Sequence, residues 1–89
     1  MIIRFNRHEN MNGETRGEIL RLINEIMLID IQSKFSFENC LYGLFDGYYY
    51  KESLAKHNEK LRAINPELSD RLTKVIAEVE TYPIGVTEV

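Results

Sequence analysis

Apolar residues recur at intervals of three and four along most of the chain, with breaks at Asp46-Gly47, Asn65-Pro66 and Pro83. This spacing places the apolar side chains on one face of an α-helix. Four such stretches fit into the 89 residues and predict helices over residues 15–29, 36–46, 48–64 and 66–82. Because the connections are short, the sequence predicts an all-α fold, either a compact four-helix bundle or an orthogonal array.

Capping patterns predict where the first two helices begin. Thr15 and Glu18 have the spacing of a capping box, in which each side chain bonds to the other residue's backbone amide. Ser36 has the residue type of an N-cap, with Phe35 before it placed to pack against Cys40. The sequence therefore predicts helix starts at Thr15 and Ser36.

The predicted third helix has a buried stripe of Tyr50, Leu54, His57, Leu61 and Ile64. At the two ends of the sequence, apolar and polar residues alternate over residues 1–5 and 84–89, which predicts short extended segments there. A pairing between these two segments is a hypothesis at this stage.

Size and charge limit the possible functions. A chain of 89 residues is one domain, 1–89, with little stability to spare, and Cys40 alone cannot form a disulfide within the chain. Self-association is a remaining source of stability, and a single cysteine favours the cytoplasm. No apolar run approaches the roughly 20 residues of a membrane-spanning helix. The net charge is −3, and the acidic excess follows Asn65, which disfavours extensive contact with nucleic acid without excluding a local basic face.

The predicted first helix is unusually apolar. Its apolar side chains cover about half of its circumference, more than a surface helix needs. They are Ile19, Leu22, Ile23, Ile26, Met27 and Ile29. We expect this helix to be central in the fold or partly covered by a second subunit.

Asp30 and His57 are polar residues at positions that helical spacing assigns to apolar faces. The favoured interpretation of Asp30 is that the helix ends near residues 27–29 and releases it. The alternative is a buried carboxylate, which requires a partner, and His57 could supply one across the bundle. For His57 alone, a half-buried structural imidazole is favoured over a general base.

Tyrosines cluster around the predicted start of the third helix. Three in succession, Tyr48, Tyr49 and Tyr50, cannot all face one core, because successive helical residues point about 100° apart. We expect Tyr50 inside, and Tyr42, Tyr48 and Tyr49 as candidate partner-binding residues, since exposed tyrosine provides a large contact area. A purely structural role is equally compatible with the pattern.

No catalytic, metal-binding or cofactor motif is visible in the sequence, and Cys40 is expected to be an inert thiol. We therefore expect no enzyme, no cofactor and no metal. The leading hypothesis is a small non-catalytic protein-binding module or regulator that acts through a helical surface. We expect it to self-associate, to bind a protein partner and to have no membrane contact. The alternative is a DNA-binding helix-turn-helix protein that uses residues 37–64.

Overall fold

Four helices make up most of the structure. The computed structural model describes residues 2–5, 11–47, 49–82 and 85–88, and in the two terminal ranges it describes the backbone. The helices are α1 (Gly13–Met27), α2 (Lys34–Asp46), α3 (Lys51–Ile64) and α4 (Pro66–Glu80). Two short strands, β1 (Ile2–Phe5) and β2 (Gly85–Glu88), flank them in the chain. The predicted all-α class with four helices and extended terminal segments is confirmed.

The helices surround one core. Helix α1 packs against α2 and α4, and α3 also packs against α2 and α4, so each helix has two neighbours. The core consists of the apolar stripes, whose fully buried members include Ile19, Leu22, Ile26, Phe37, Leu41, Leu44, Leu54, Leu61, Leu72 and Val79. Burial of these stripes is the main source of stability in a chain of this size.

The strands form a two-stranded antiparallel ribbon. Ile2 lies opposite Glu88 and Phe5 lies opposite Gly85. The hypothesis that the extended segments pair is thus confirmed for these residues.

Helix α1 begins two residues before the predicted start. Its N-cap is Asn12, whose side chain accepts a 2.8 Å hydrogen bond from the Thr15 amide. Thr15 is buried instead, and its hydroxyl donates to Glu78 Oε1 of α4 at 2.5 Å. The predicted capping box was wrong. Asn12, three positions earlier, is also a residue type that can cap a helix, and the Thr15 side chain bonds to α4 instead.

The predicted start of α2 was also wrong. The helix begins at Lys34, and its N-cap, Ser33, has the left-handed backbone (φ 61°) and no side-chain cap bond. Ser36 therefore lies inside the helix, and Phe35, predicted to pack against Cys40, is exposed. The sequence could not predict a helix that begins after a left-handed serine, because non-glycine residues rarely adopt that conformation.

Two further helix ends agree with the sequence and one does not. Gly47 ends α2 in the left-handed conformation, and Asn65 caps α4 at the Leu68 amide with Pro66 in its first turn. Helix α3 begins at Lys51, so Tyr50 is its N-cap and is exposed. The predicted stripe is correct for Leu54, His57 and Leu61. It is wrong for Tyr50, which precedes the helix, and for Ile64, which is half exposed at the last turn.

The wide apolar face of α1 is buried against other helices of the same chain. Ile19, Leu22, Ile23 and Ile26 are buried, and Met27 and Ile29 pack against the same core. These contacts within the chain account for the apolar residues of α1. This apolar face therefore gives no independent support to self-association. No helix in the described part of the chain is long and apolar enough to cross a membrane.

Candidate protein-binding surface

A groove lies between α3 and α4. Its volume is about 170 Å³. The apolar part of the lining comes from Leu54 and Ala55 of α3 and from Ile76 of α4. The polar part of the lining is Tyr49, Lys51, Asn58, Thr73 and Glu80. Apolar side chains beside polar groups that can orient a bound group are typical of a binding pocket.

Glu80 joins the groups at one end of this groove. Its Oε1 accepts a hydrogen bond from the Tyr49 hydroxyl, and its Oε2 lies 3.1 Å from Lys51 Nζ. Because Glu80 lies in the last turn of α4 and Lys51 begins α3, this carboxylate fixes the start of one helix to the end of the other. The result is a rim that carries a phenol, an ammonium group and a carboxylate.

A polar network holds the other end of the groove. The buried Ser69 donates to Asn58 Oδ1 at 2.7 Å, and Asn58 Nδ2 donates to Thr73 Oγ1 at 3.0 Å. These bonds join α3 to α4 and orient the amide and hydroxyl that line the groove. Such satisfied interhelical bonds favour a single groove geometry.

A wider and shallower hollow of about 660 Å³ adjoins the groove around the start of α3. It shares Tyr49 and Lys51 with the groove and adds Tyr50, Glu52, Ser53 and Lys56. The Tyr50 side chain is 82% exposed. We call the groove and this hollow together the α3–α4 surface. It combines an apolar floor, the exposed Tyr50 and charged groups of both signs.

The three tyrosines selected from the sequence have different environments. Tyr49 is half-buried and belongs to the α3–α4 surface through its bond to Glu80. Tyr42 is 47% exposed on α2, a separate helix, and lines neither concavity. Tyr48 lies outside the described residues. Tyr50 was predicted to lie inside, but it is exposed, because α3 begins one residue after it.

Asp30 and His57 are not brought together. Asp30 is exposed and follows the end of α1 at Met27, which is the favoured interpretation of the two considered. His57 is buried on α3. A buried Asp30–His57 pair is therefore incompatible with the structure, because α1 ends three residues before Asp30 and the Asp30 side chain is exposed.

His57 lies against an aromatic ring instead. Its imidazole stacks on Phe37 with ring centroids 5.1 Å apart and an angle of 11° between the planes. Its Nδ1 is buried and has no hydrogen-bond partner among the described residues. Burial lowers the pKa of His57 below its ordinary value, and nearby Lys60 lowers it further. His57 faces α2 through this stack and does not line the α3–α4 groove.

Cys40 and the acidic residues form no further site among the described residues. The Cys40 thiol is half-buried, 3.5 Å from the Ser53 hydroxyl of α3. Across the described ranges, no group of three His, Cys, Asp or Glu side chains is placed to hold a metal ion.

The residues that complete the α3–α4 surface were missed by sequence reasoning. Lys51, Ala55, Asn58, Thr73 and Glu80 belong to two helices and meet only in the tertiary structure. Comparison with protein-family models, curated proteins and solved structures finds no match for this chain.

Proposed function

We propose that this protein is a small non-catalytic binding module or regulator that recognises a protein partner through a helical surface. The observation that supports it best is the α3–α4 surface, where an apolar groove lies beside the exposed Tyr50. Tyrosine next to an apolar pocket is typical of protein-binding hot spots. We also propose that the protein self-associates and that it acts in the cytoplasm, where an unpaired Cys40 is compatible with the reducing conditions.

The geometry of the groove suggests how a partner binds. A volume of about 170 Å³ accommodates one or two side chains and not a whole helix. We infer that a partner inserts an apolar side chain between Ala55 and Ile76 and packs its backbone against Tyr50. Lys51 and Glu80 then offer one donor and one acceptor at the rim, and their mutual ion pair keeps both in place.

Two matched variants test this surface. Ala55 and Ala63 are both exposed residues of α3, but only Ala55 lines the groove. Ala55→Arg fills the groove, whereas Ala63→Arg adds the same charge and volume two turns further along. Both keep a good helix-forming residue, so neither is expected to unfold the chain. Affinity capture from the source cells, read by quantitative mass spectrometry, should lose a partner at least tenfold (roughly 1.4 kcal/mol) with Ala55→Arg only.

The outcome can contradict the proposal in two ways. Equal recovery with both variants would exclude the groove, and loss with both would indicate a general charge effect. Nucleic-acid binding by residues 37–64 is the alternative. A salt-dependent shift of random duplex DNA by the unmodified protein at low ionic strength would favour that alternative.

A further inference from the structure

The contact between α2 and α3 contains the buried histidine. We define the α2–α3 seam by two pairs of residues, Phe37 with His57 and Cys40 with Ser53. In each helix the two members are three or four positions apart and therefore lie on one face. Phe37 and His57 are both buried. An imidazole thus takes the place of an apolar side chain in the packing between the two helices.

The seam suits a neutral imidazole and not a charged one. Both ring nitrogens of an imidazolium are donors, yet the buried Nδ1 of His57 has no acceptor among the described residues. The charged group that acts on the ring is Lys60 of the same helix, and it repels a second positive charge. Helix α2 brings the Phe37 ring and the Cys40 thiol to the seam. A proton on His57 is therefore a buried charge without a counter-ion, which is costly.

The carboxylates of α2 do not offset this cost. They are Glu38 and Asp46, and neither contributes to the field at the His57 ring. The lysine of α2, Lys34, bonds to the Met27 carbonyl at 3.0 Å. The closed seam therefore has no means of stabilising an imidazolium within the described part of the chain.

Polar bonds tie the other three helices together. Arg71 of α4 bonds to Glu18 and Glu25 of α1, and Ser69 of α4 donates to Asn58 of α3. The contact between α2 and α3 is the least extensive of the four helix–helix contacts, and α2 packs more extensively on α1. Helix α2 can therefore separate from α3 while it stays on α1 and the other three helices remain joined.

The backbone is left-handed at both ends of α2. Ser33 precedes the helix with φ 61° and no side-chain cap bond, and Gly47 follows it with φ 83°. Glycine accepts this conformation freely, whereas it costs free energy for serine. A rotation at Ser33 relieves that cost, and a rotation at Gly47 meets no side chain. These two residues are the pivots available to α2.

We propose that the α2–α3 seam is an acid-operated conformational switch. When His57 takes up a proton, α2 turns away from α3 about Ser33 and Gly47 and stays packed on α1. The imidazolium then reaches water, and Phe37 and Cys40 become accessible. This device is separate from the α3–α4 surface and goes beyond the binding function proposed for it.

The direction of the response follows from the two forms of His57. In the closed seam, burial and Lys60 hold the pKa of the imidazole below its ordinary value of 6.5, and in the open form it returns to that value. Below pH 6.5 the open form thus binds more protons than the closed form. Acid therefore favours the open form, and neutral pH favours the closed one.

The labelling rate of Cys40 by a bulky thiol reagent tests the switch. Cys40 is the only cysteine of the chain, so the unmodified protein can be used. A peptide with the sequence of residues 37–43 provides the reference rate at each pH and cancels the ionisation of the thiol. The rate relative to this peptide should rise by up to about tenfold from about pH 7.5 to about pH 5.5. A relative rate that does not rise would overturn the proposal.

Three variants assign the response to His57. His57→Leu keeps the seam filled with an apolar side chain and should abolish the rise. Lys60→Gln removes the repulsion in the closed form, so protonation there is easier and the rise should be smaller. Lys56→Gln removes an equal charge from α3 that does not act on the ring, and should keep the full rise. A rise that persists in His57→Leu would overturn the proposal.

Urea at low concentration separates opening of the seam from unfolding of the chain. Global unfolding exposes far more surface, so labelling that requires it accelerates roughly fivefold or more per molar urea. Opening of the seam alone exposes little surface, and we expect less than about a twofold increase up to about 1 M urea at pH 5.5. An acceleration typical of global unfolding would show that α2 does not open by itself, which would overturn the switch.

Discussion

The buried imidazole of His57 links the stability of the fold to pH. The ring lies against Phe37, only 7% of the residue is exposed, and its Nδ1 lacks a partner among the described residues. Burial, with a smaller contribution from Lys60, lowers the pKa of the folded protein's His57 below the ordinary 6.5. Between these two pKa values the unfolded chain binds more protons than the folded one, so acidification favours unfolding.

We expect the free energy of unfolding to be independent of His57 above about pH 7.5 and to fall as the pH drops through 6.5, the ordinary value. Urea titrations between about pH 8 and about pH 5.5 measure this slope, above the range in which most carboxylates titrate. His57→Leu removes the titrating group and should flatten the slope. A variant with the same slope as the unmodified protein would show that His57 is not the group responsible.

Thr15 shows what a single residue's pattern can and cannot predict. Its spacing to Glu18 fits a capping box, yet its buried hydroxyl bonds to Glu78, which is 63 positions away in the sequence. Glu18 is likewise used elsewhere, as an acceptor for Arg71 at 2.6 Å. Local patterns identify residues that can cap a helix, but tertiary partners decide which of them does.

At the scale of elements, Arg71 joins α4 to α1. Its guanidinium bonds to Glu18 at 2.6 Å and to Glu25 at 2.8 Å, and all three side chains are partly exposed. The hydrogen bond from Arg71 is the main reason that the pKa of Glu25 lies below its ordinary value. Glu25 therefore contributes stability that is lost as the pH falls through the range of its carboxyl.

Arg71→Met keeps the apolar stem and removes the charge, and we expect it to lower the free energy of unfolding by about 0.5–1 kcal/mol at low salt. Arg71→Lys should recover only part of this loss, because an ammonium group cannot bond to two carboxylates in the same geometry. Urea unfolding with and without 1 M NaCl, roughly a 3 Å screening length, provides the measurement. A difference that persists unchanged in high salt would argue against an electrostatic origin.

The periodicity of apolar residues predicted all four helices, because the spacing that places apolar side chains on one helix face can be read from a short stretch of sequence. It predicted the boundaries less well, since fraying and capping depend on neighbouring elements. The start of α3 shows the consequence. A shift from residue 48 to Lys51 moved Tyr50 from the expected core to the surface.

At the scale of the whole molecule, the candidate site depends on how helices meet. The groove requires Ala55 and Asn58 of α3 to face Thr73 and Ile76 of α4. Helical periodicity assigns each of these residues to a helix face but not to a facing partner, so the sequence could not predict the groove. Of the tyrosines selected from the sequence, Tyr49 lies in this candidate surface, whereas Tyr42 lies outside it.

The α3–α4 surface as a protein-binding site is the central claim, and site-specific photo-crosslinking tests it most directly. A benzophenone amino acid at Tyr50 replaces one exposed aromatic residue by another, and the same group at Ala63 serves as the control. In the source cells, we predict a discrete cross-linked partner from position 50 that is absent from position 63 and is lost when Ala55→Arg is added. Identical products from both positions, or no product from position 50, would contradict the account.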